Sequence, residues 1–293
     1  MKKKFLVSSL FLVCISVSFT QAQLLWKVSG NGLKHPSYLF ATHNLVSIDY
    51  LDSVPELFKA FNETNTVVAE MVMNNIDATA KIQQAALLPN HIKVKDLMND
   101  EHYKLVDTEL KSTMKLGLKE LAMMNPSLIR TLYEMELYKK RTGFTEDKQS
   151  VSYFQLVAAD KDKRVVGFET MDQQIKNLFG AGSFERQADI LVQTVQHKDS
   201  ILADMIHQIK LYKAGKLEEL VQLAKGKSSM TSITTEEYTR QVDNRTADWM
   251  TKLPALMKES SCFITLDAIH LGGKTGLIQL LEKAGYKVKA EKR

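Results

Sequence analysis

The sequence predicts an α/β fold: a small central sheet with a cleft at its strand ends, and long helical insertions that form a cap. Three observations carry this. Four short apolar runs rich in β-branched or aromatic residues, at 37–42, 66–71, 164–168 and 262–266, have strand length and are flanked by polar or turn residues. The stretches between them are long and place apolar residues at three- and four-residue spacing, the period of an amphipathic helix. No proline occurs between Pro126 and Pro254, so nothing there forbids long helices. The 293 residues are 44% hydrophobic and 25% charged, with 5 Pro, 13 Gly and 2 Cys. That composition excludes a disordered, collagen-like or disulfide-stapled protein, and the chain is long enough to bury a substantial core.

The first element is a leader. Lys2, Lys3 and Lys4 precede an apolar stretch from Phe5 to Val17, and Thr20-Gln21-Ala22 closes it. A basic start, a short apolar centre and a small-residue end are the parts of a secretory signal peptide over residues 1–22. The apolar stretch is shorter than the roughly 20 residues that span a bilayer. Cys14 follows Val13, where a lipoprotein would carry a small residue. Cleavage removes three lysines, leaving 36 Lys and Arg against 34 Asp and Glu in about 271 residues. The mature chain, 23–293, is then nearly neutral, which does not imply a nucleic-acid partner. It holds no later stretch apolar enough to cross a membrane, so the expected address is the periplasm or the extracellular medium.

The strand at Ser37–Thr42 comes next, then one at Thr66–Met71. Helical segments follow at Asp100–Leu121 and Pro126–Lys140. A third strand spans Arg164–Phe168. Ser183–Lys213 reads as one amphipathic helix capped by Ser183 and ended by Gly215, with Ala188, Leu191, Val192, Val195, Leu202, Met205, Ile206 and Ile209 on one face. A last helical block covers Thr235–Met257 before the strand Cys262–Leu266. Cys262, the only cysteine after cleavage, opens that strand and reads as a core thiol rather than a nucleophile. With no repeat or Gly/Ser linker, a single domain with a helical cap fits best.

Each apolar run leads at once into polar residues: His43 and Asn44, Glu70, Glu169, and Asp267 followed by His270. Ligands bind at strand ends in α/β sheets because side chains converge there over a rigid floor. Two carboxylates and two imidazoles gathered in one crevice can bind a divalent metal and activate water, or act as general acid and base. The plainer reading is that Glu70 and Glu169 cap or pair locally while the histidines satisfy nearby hydrogen bonds. A second motif is a decoy. Ala268-Ile269-His270-Leu271-Gly272-Gly273-Lys274-Thr275 departs from the phosphate-binding P-loop only at Ala268. Only 18 residues follow Thr275, too few for a further strand and a nucleotide pocket.

Over nearly the whole mature chain, and in order, these residues resemble the TraB/GumN family, which includes the pheromone-shutdown protein PrgY and is related to the Tiki metalloproteases that cleave Wnt proteins. Leu25-Trp26-Lys27-Val28-Ser29-Gly30 and Ser37-Tyr38-Leu39-Phe40 resemble its opening. Val67-Val68-Ala69-Glu70 and Gly167-Phe168-Glu169-Thr170 with Gln173 resemble its two acidic strands. Arg245 and Trp249 match an arginine-led helix. The most specific stretch is Ala268-Ile269-His270-Leu271 with Gly273, Gly276, Leu277 and Ile278, extended through Gly285, Tyr286 and Val288.

The departures are as informative. Family members usually carry two Gly-x-x-His motifs thought to supply metal ligands. Here the first reads Ala41-Thr42-His43-Asn44, with both the glycine and the motif histidine replaced, and the second reads Asp267-Ala268-Ile269-His270. Thr246 stands where an asparagine is common, and an acidic residue is missing before Tyr153-Phe154. An amide oxygen is a far weaker ligand than imidazole, so a site using Asn44 is weakened unless His43 or Asp267 compensates.

The resemblance implies a metal-dependent hydrolase, peptidase-like, acting on peptides or proteins. Its divalent metal (zinc, cobalt or manganese) would be held by His270, Glu70 and a group from the first strand end, His43 or Asn44, with Asp267 as a new ligand. Glu169 would be the second carboxylate or general base, and Arg245 would stabilise the oxyanion. The lost motif residues open the alternative of a non-catalytic member that binds a peptide or protein in the same cleft.

Overall fold

A computed structural model describes residues 23–73, 76–145, 150, 152–179, 182–226 and 234–291. The predicted leader, 1–22, lies outside the described residues. The strands are β1 (Leu25–Ser29), β2 (Ser37–Thr42), β3 (Thr66–Ala69), β4 (Arg164–Gly167), β5 (Cys262–Asp267) and β6 (Lys287–Ala290). They form one mixed sheet in the order β4-β3-β5-β2-β1-β6. The fold is therefore α/β, as the sequence predicts.

β2, β5, β3 and β4 run parallel, while β1 is antiparallel to both β2 and β6. β2 and β3 are buried at every position and β5 at all but its last. Strands covered on both faces have no polar side to alternate, hence the continuous apolar runs in the sequence. β1 and β6 lie outside the four predicted runs. β6 alternates exposed lysines, Lys287 and Lys289, with half-buried Val288 and Ala290, the pattern of a charged edge strand. Because these four strands are parallel, their C-terminal ends share one edge: Thr42 sits opposite Asp267, and Ala69 opposite both Gly167 and Thr265.

The helices are α1 (Leu57–Asn62), α2 (Ile76–Ala85), α3 (Asp100–Met114), α4 (Pro126–Thr142), α5 (Tyr153–Asp160), α6 (Met171–Phe179), α7 (Phe184–Gln196), α8 (Lys198–Lys213), α9 (Leu217–Lys225), α10 (Thr235–Tyr238), α11 (Asn244–Glu259) and α12 (Leu277–Lys283). Two hydrophobic clusters organise them. One surrounds the sheet and includes Phe40, Phe61, Phe154, Phe263, Tyr212 and Trp249. The other gathers Val106, Leu110, Ile129, Tyr133, Leu191 and Val195 from α3, α4 and α7, which makes the inserted helices a cap with its own buried centre.

Three helical expectations are corrected. The single helix over Ser183–Lys213 is two, broken at His197 (φ −115°, ψ 26°), with Ser183 the cap as predicted, accepting from the Arg186 N–H. The apolar stripe continues through the break because it serves both centres. Ala188, Leu191, Val192 and Val195 belong to the cap, and Ile209, Leu211 and Tyr212 to the sheet cluster. The helix from Asp100 stops at Met114, where Lys115 turns left-handed (φ 64°), and the Gly117 and Leu118 N–H groups donate to Glu120 and Asp107 carboxylates instead. The Thr235–Met257 block contains a π-helical turn, Thr239–Asp243, and continues to Glu259.

The decoy motif is explained by packing. A Cβ on Gly276 would collide with the carbonyls of Leu271 and Gly272, so the glycine allows the loop to fold back on itself. The Thr275 hydroxyl donates to Asp243 at 2.7 Å, tying this loop to the π turn. Among the described residues, no helix is long and apolar enough to cross a membrane.

Candidate functional site

The parallel strand ends and one face of α11 meet over a common floor. Glu70 follows β3 and Glu169 follows β4; Asp267 ends β5, and His270 lies in the single turn Ala268–His270 after it. Arg245, Thr246 and Trp249, from the first turns of α11, come down onto these ends.

Arg245 is the centre. Its Nε donates to Glu169 Oε1 at 2.7 Å, and its Nη2 donates to Glu70 Oε2 at 2.7 Å and to Glu169 Oε2 at 3.2 Å. Nη1 donates to the Gln241 carbonyl at 3.2 Å, and the guanidinium stacks 4.9 Å from the Trp249 ring. Glu169, with a side chain only 4% exposed, also accepts from Trp249 Nε1 at 2.9 Å, Gln174 Nε2 at 2.7 Å and Asn177 Nδ2 at 3.1 Å. Five donor contacts leave this carboxylate no open lone pair for a water. These contacts fix Glu169 against Arg245, Trp249 and α6. Gln174 and Asn177 are delivered by α6, whose start is fixed reciprocally: Gln173 accepts from the Thr170 N–H, and Thr170 accepts from the Gln173 N–H. That pairing gives the Thr170 and Gln173 of the acidic motif a structural role.

His270 is held by its other ring edge. Thr246 Oγ1 donates to the Val242 carbonyl at 2.8 Å, which spends its only proton, and lies 2.8 Å from His270 Nδ1. Nδ1 therefore carries the ring proton and donates to Thr246, leaving the lone pair of Nε2 toward Arg245 Nη1 at 3.4 Å. Burial pushes the imidazole down to about 4, so the ring is neutral at ordinary pH. For Glu70 burial opposes ionisation, yet coupling to His270 where that ring titrates in acid, the permanent charge of Arg245 and the Asp267 N–H donating to Oε1 at 3.2 Å hold it below the usual carboxylate range.

Asp267 behaves differently. Its Oδ1 accepts from the Ile269 N–H, capping the following turn. Burial, and then the charge of Glu70, push its carboxyl up to about 7. It lines two neighbouring cavities, as do Asn44 and Ile269. One, of about 460 Å³, lies over Thr42, Glu70, Arg245 and His270. The other, of about 440 Å³, extends under α4, α8 and α9 past Arg130, Glu134, Asp204 and Met205. His43 lines only the second. Its Nδ1 accepts from the Leu45 N–H at 3.1 Å, it packs against Tyr212, and burial lowers it to about 4. The structure thus gathers Glu70, Glu169, Arg245 and His270, sets Asp267 and Asn44 on the adjoining wall, and leaves His43 apart. Cys262 is buried in β5 with its thiol pushed up to about 12, an inert core residue as predicted.

A zinc, cobalt or manganese ion needs several convergent lone pairs and no competing cation. Here a guanidinium takes one oxygen of Glu70 and both of Glu169 and faces the His270 lone pair. A backbone N–H occupies the other Glu70 oxygen, and Asp267 holds its proton to about 7. Among the described residues, no three His, Cys, Asp or Glu side chains are grouped so as to hold a metal ion. The residues present do not fit the metal that the resemblance implies.

Gln174 and Asn177 are working members of this cluster that sequence reasoning did not single out, and Thr246, noted there only as standing where an asparagine is common, is a third. Gln174 and Asn177 follow Glu169 by five and eight residues on one helix face, a spacing that was available to find them. The model of the TraB/PrgY/gumN family matches residues 24–290. No curated protein and no solved structure matches the chain.

Proposed function

The chain belongs to the TraB/PrgY/gumN family, and on that premise we propose that it is an exported protein that binds a peptide or protein segment in its strand-end cleft without a resident metal. The observation that carries this is Arg245. Its guanidinium stands among Glu70, Glu169 and His270, a cation where a metal would have to sit, while the two adjoining cavities stay open above it. Together they offer about the room that pockets for extended small ligands have. Export is supported by the basic, apolar and small-residue order of residues 2–22.

A metal-dependent hydrolase of reduced activity is the second reading, favoured by the gathering of Glu70, Glu169, Arg245 and His270 at one locus. One experiment separates the two: metal analysis of the purified mature protein, paired with peptide binding and cleavage with and without a chelator. The binding reading expects no stoichiometric metal and chelator-indifferent binding. Tightly bound stoichiometric zinc or manganese, with cleavage abolished by chelator and by His270→Ala or Glu70→Ala, overturns it in favour of the hydrolase.

A further inference from the structure

We propose that the cavity on the far side of Arg245 is a carboxylate subsite for the bound peptide, an inference that rests on the peptide-binding reading above. This cavity, of about 300 Å³, opens between α6 and the start of α11 and shares Asn177, Gln241 and Arg245 with the cavity over Glu70. A single extended ligand can therefore reach from one into the other.

Its charges do not balance. Four charged groups besides Arg245 line it. Glu169 shares Arg245 with Glu70, and Asp248 pairs with Lys252 at 2.7 Å. Lys176 and Arg240 remain, and among the described residues neither has an ion-pair or hydrogen-bond partner. Two uncompensated cations in a concavity concentrate anions there. A planar guanidinium beside an ammonium suits a carboxylate, which takes charge-assisted hydrogen bonds from both. Gln173 adds a donor: its Oε1 is already occupied by the Thr170 N–H, so its NH₂ is the group left to give.

The backbone serves the same end. In the π turn the Asn244 N–H reaches back five residues to the Thr239 carbonyl, and this widened turn sets Arg240, Gln241 and Asn244 along one wall of the cavity. The rest of the cleft offers no such charge. The cations lining the two larger cavities, Arg130 and Arg245, are already ion-paired, Arg130 with Glu134 at 4.0 Å and Arg245 with Glu70 and Glu169 at 2.7 Å, so a ligand carboxylate is drawn to Lys176 and Arg240 instead.

The carboxylate can come from the peptide's C-terminus or from an Asp or Glu side chain, and the test separates them. Pools of N-acetylated heptapeptides, one with free C-terminal carboxylates and one C-terminally amidated, are passed over the immobilised wild-type protein and over a K176Q/R240Q double variant, and retained peptides are read by mass spectrometry. Both substitutions are at surface positions, and thermal melting checks that the variant is folded. Loss of a charged hydrogen-bonding pair predicts a drop of about tenfold or more. Retention of the free-acid pool that falls by that factor on amidation, and in the double variant, supports the subsite with the C-terminus as its ligand. Retention of Asp- and Glu-rich members of the amidated pool, lost in the double variant, supports it with a side chain as its ligand. Retention indifferent to amidation, to acidic content and to the double variant overturns the subsite while leaving peptide binding intact. No retention of either pool by the wild type overturns the peptide-binding reading and the subsite with it.

Discussion

Arg245 and Glu169 meet as a fork, Nε on Oε1 at 2.7 Å and Nη2 on Oε2 at 3.2 Å, with Glu70 taking a second bond from the same Nη2. Arg245→Met leaves two carboxylates without their cation, one of them almost fully buried. A stability loss of about 3–5 kcal/mol is expected from breaking such a pair on one side. Arg245→Lys keeps the charge but not the fork and should recover only part of it. Urea denaturation at pH 7 measures both; an unchanged midpoint in Arg245→Met would mean that the bridge is not structural.

Thr246 fixes the tautomer of His270. Thr246→Val preserves shape but removes the acceptor for Nδ1–H, and about 1–2 kcal/mol should be lost. The specific signature is in the ring: ¹⁵N shifts of His270 should report one tautomer in the wild type and a mixture in the variant.

Asp267 holds a proton in the fold to about 7, well above its unfolded value. A raised carboxyl favours folding fully below the unfolded pKa, and that contribution is lost as pH rises through the folded one. Asp267→Asn keeps the cap on Ile269 and abolishes the titration. The variant should therefore be more stable than the wild type at pH 8, by up to roughly 4 kcal/mol, with the advantage shrinking as pH falls from about 7 toward 4. An advantage independent of pH would refute the assignment.

His43 and His270 move the other way. Both are pushed by burial to about 4, so the unfolded chain takes up their protons first as pH falls below about 6.5. Stability should drop between those values, with each histidine adding about 1.4 kcal/mol per pH unit to the slope and Asp267 subtracting one such increment. In the pH dependence of the denaturation midpoint, His270→Gln should flatten the slope by one histidine's share.

Ala41→Gly, Asn44→His and Asp267→Gly together place an imidazole on the wall of the His270 cavity and remove the protonated acid. Arg245 still holds Glu70 and Glu169 in this variant, so it is expected to stay free of cobalt d–d absorption, like the wild type. Cobalt absorption gained by the triple variant would overturn the exclusion of the ion by Arg245.

Where continuous apolar runs mark strands covered on both faces, or apolar residues recur at helical spacing, the chain was readable. The four parallel strands, the Ser183 cap and the helix from Pro126 follow from local pattern and burial, which act within a few residues. β6 escaped because an edge strand carries lysines and half-buried residues that no apolar run announces, and β1, an interior strand, because Lys27 and Ser29 interrupt its buried positions. The break at His197 escaped because the stripe is continuous in sequence while the cores it fills are two in space.

By itself the sequence determined an α/β chain with Glu70, Glu169, Asp267 and His270 at the ends of its strands, and a family likeness reaching Arg245. Only the tertiary structure decided how these groups are partnered. Arg245 reaches Glu70 across 175 positions and Glu169 across 76, and Asp267 reaches Glu70 across 197. Spacing along a chain cannot say whether two carboxylates converge on an open point or on a guanidinium. That depends on which lone pairs remain unspent once helix and sheet are packed together, and here the fold spends them on Arg245.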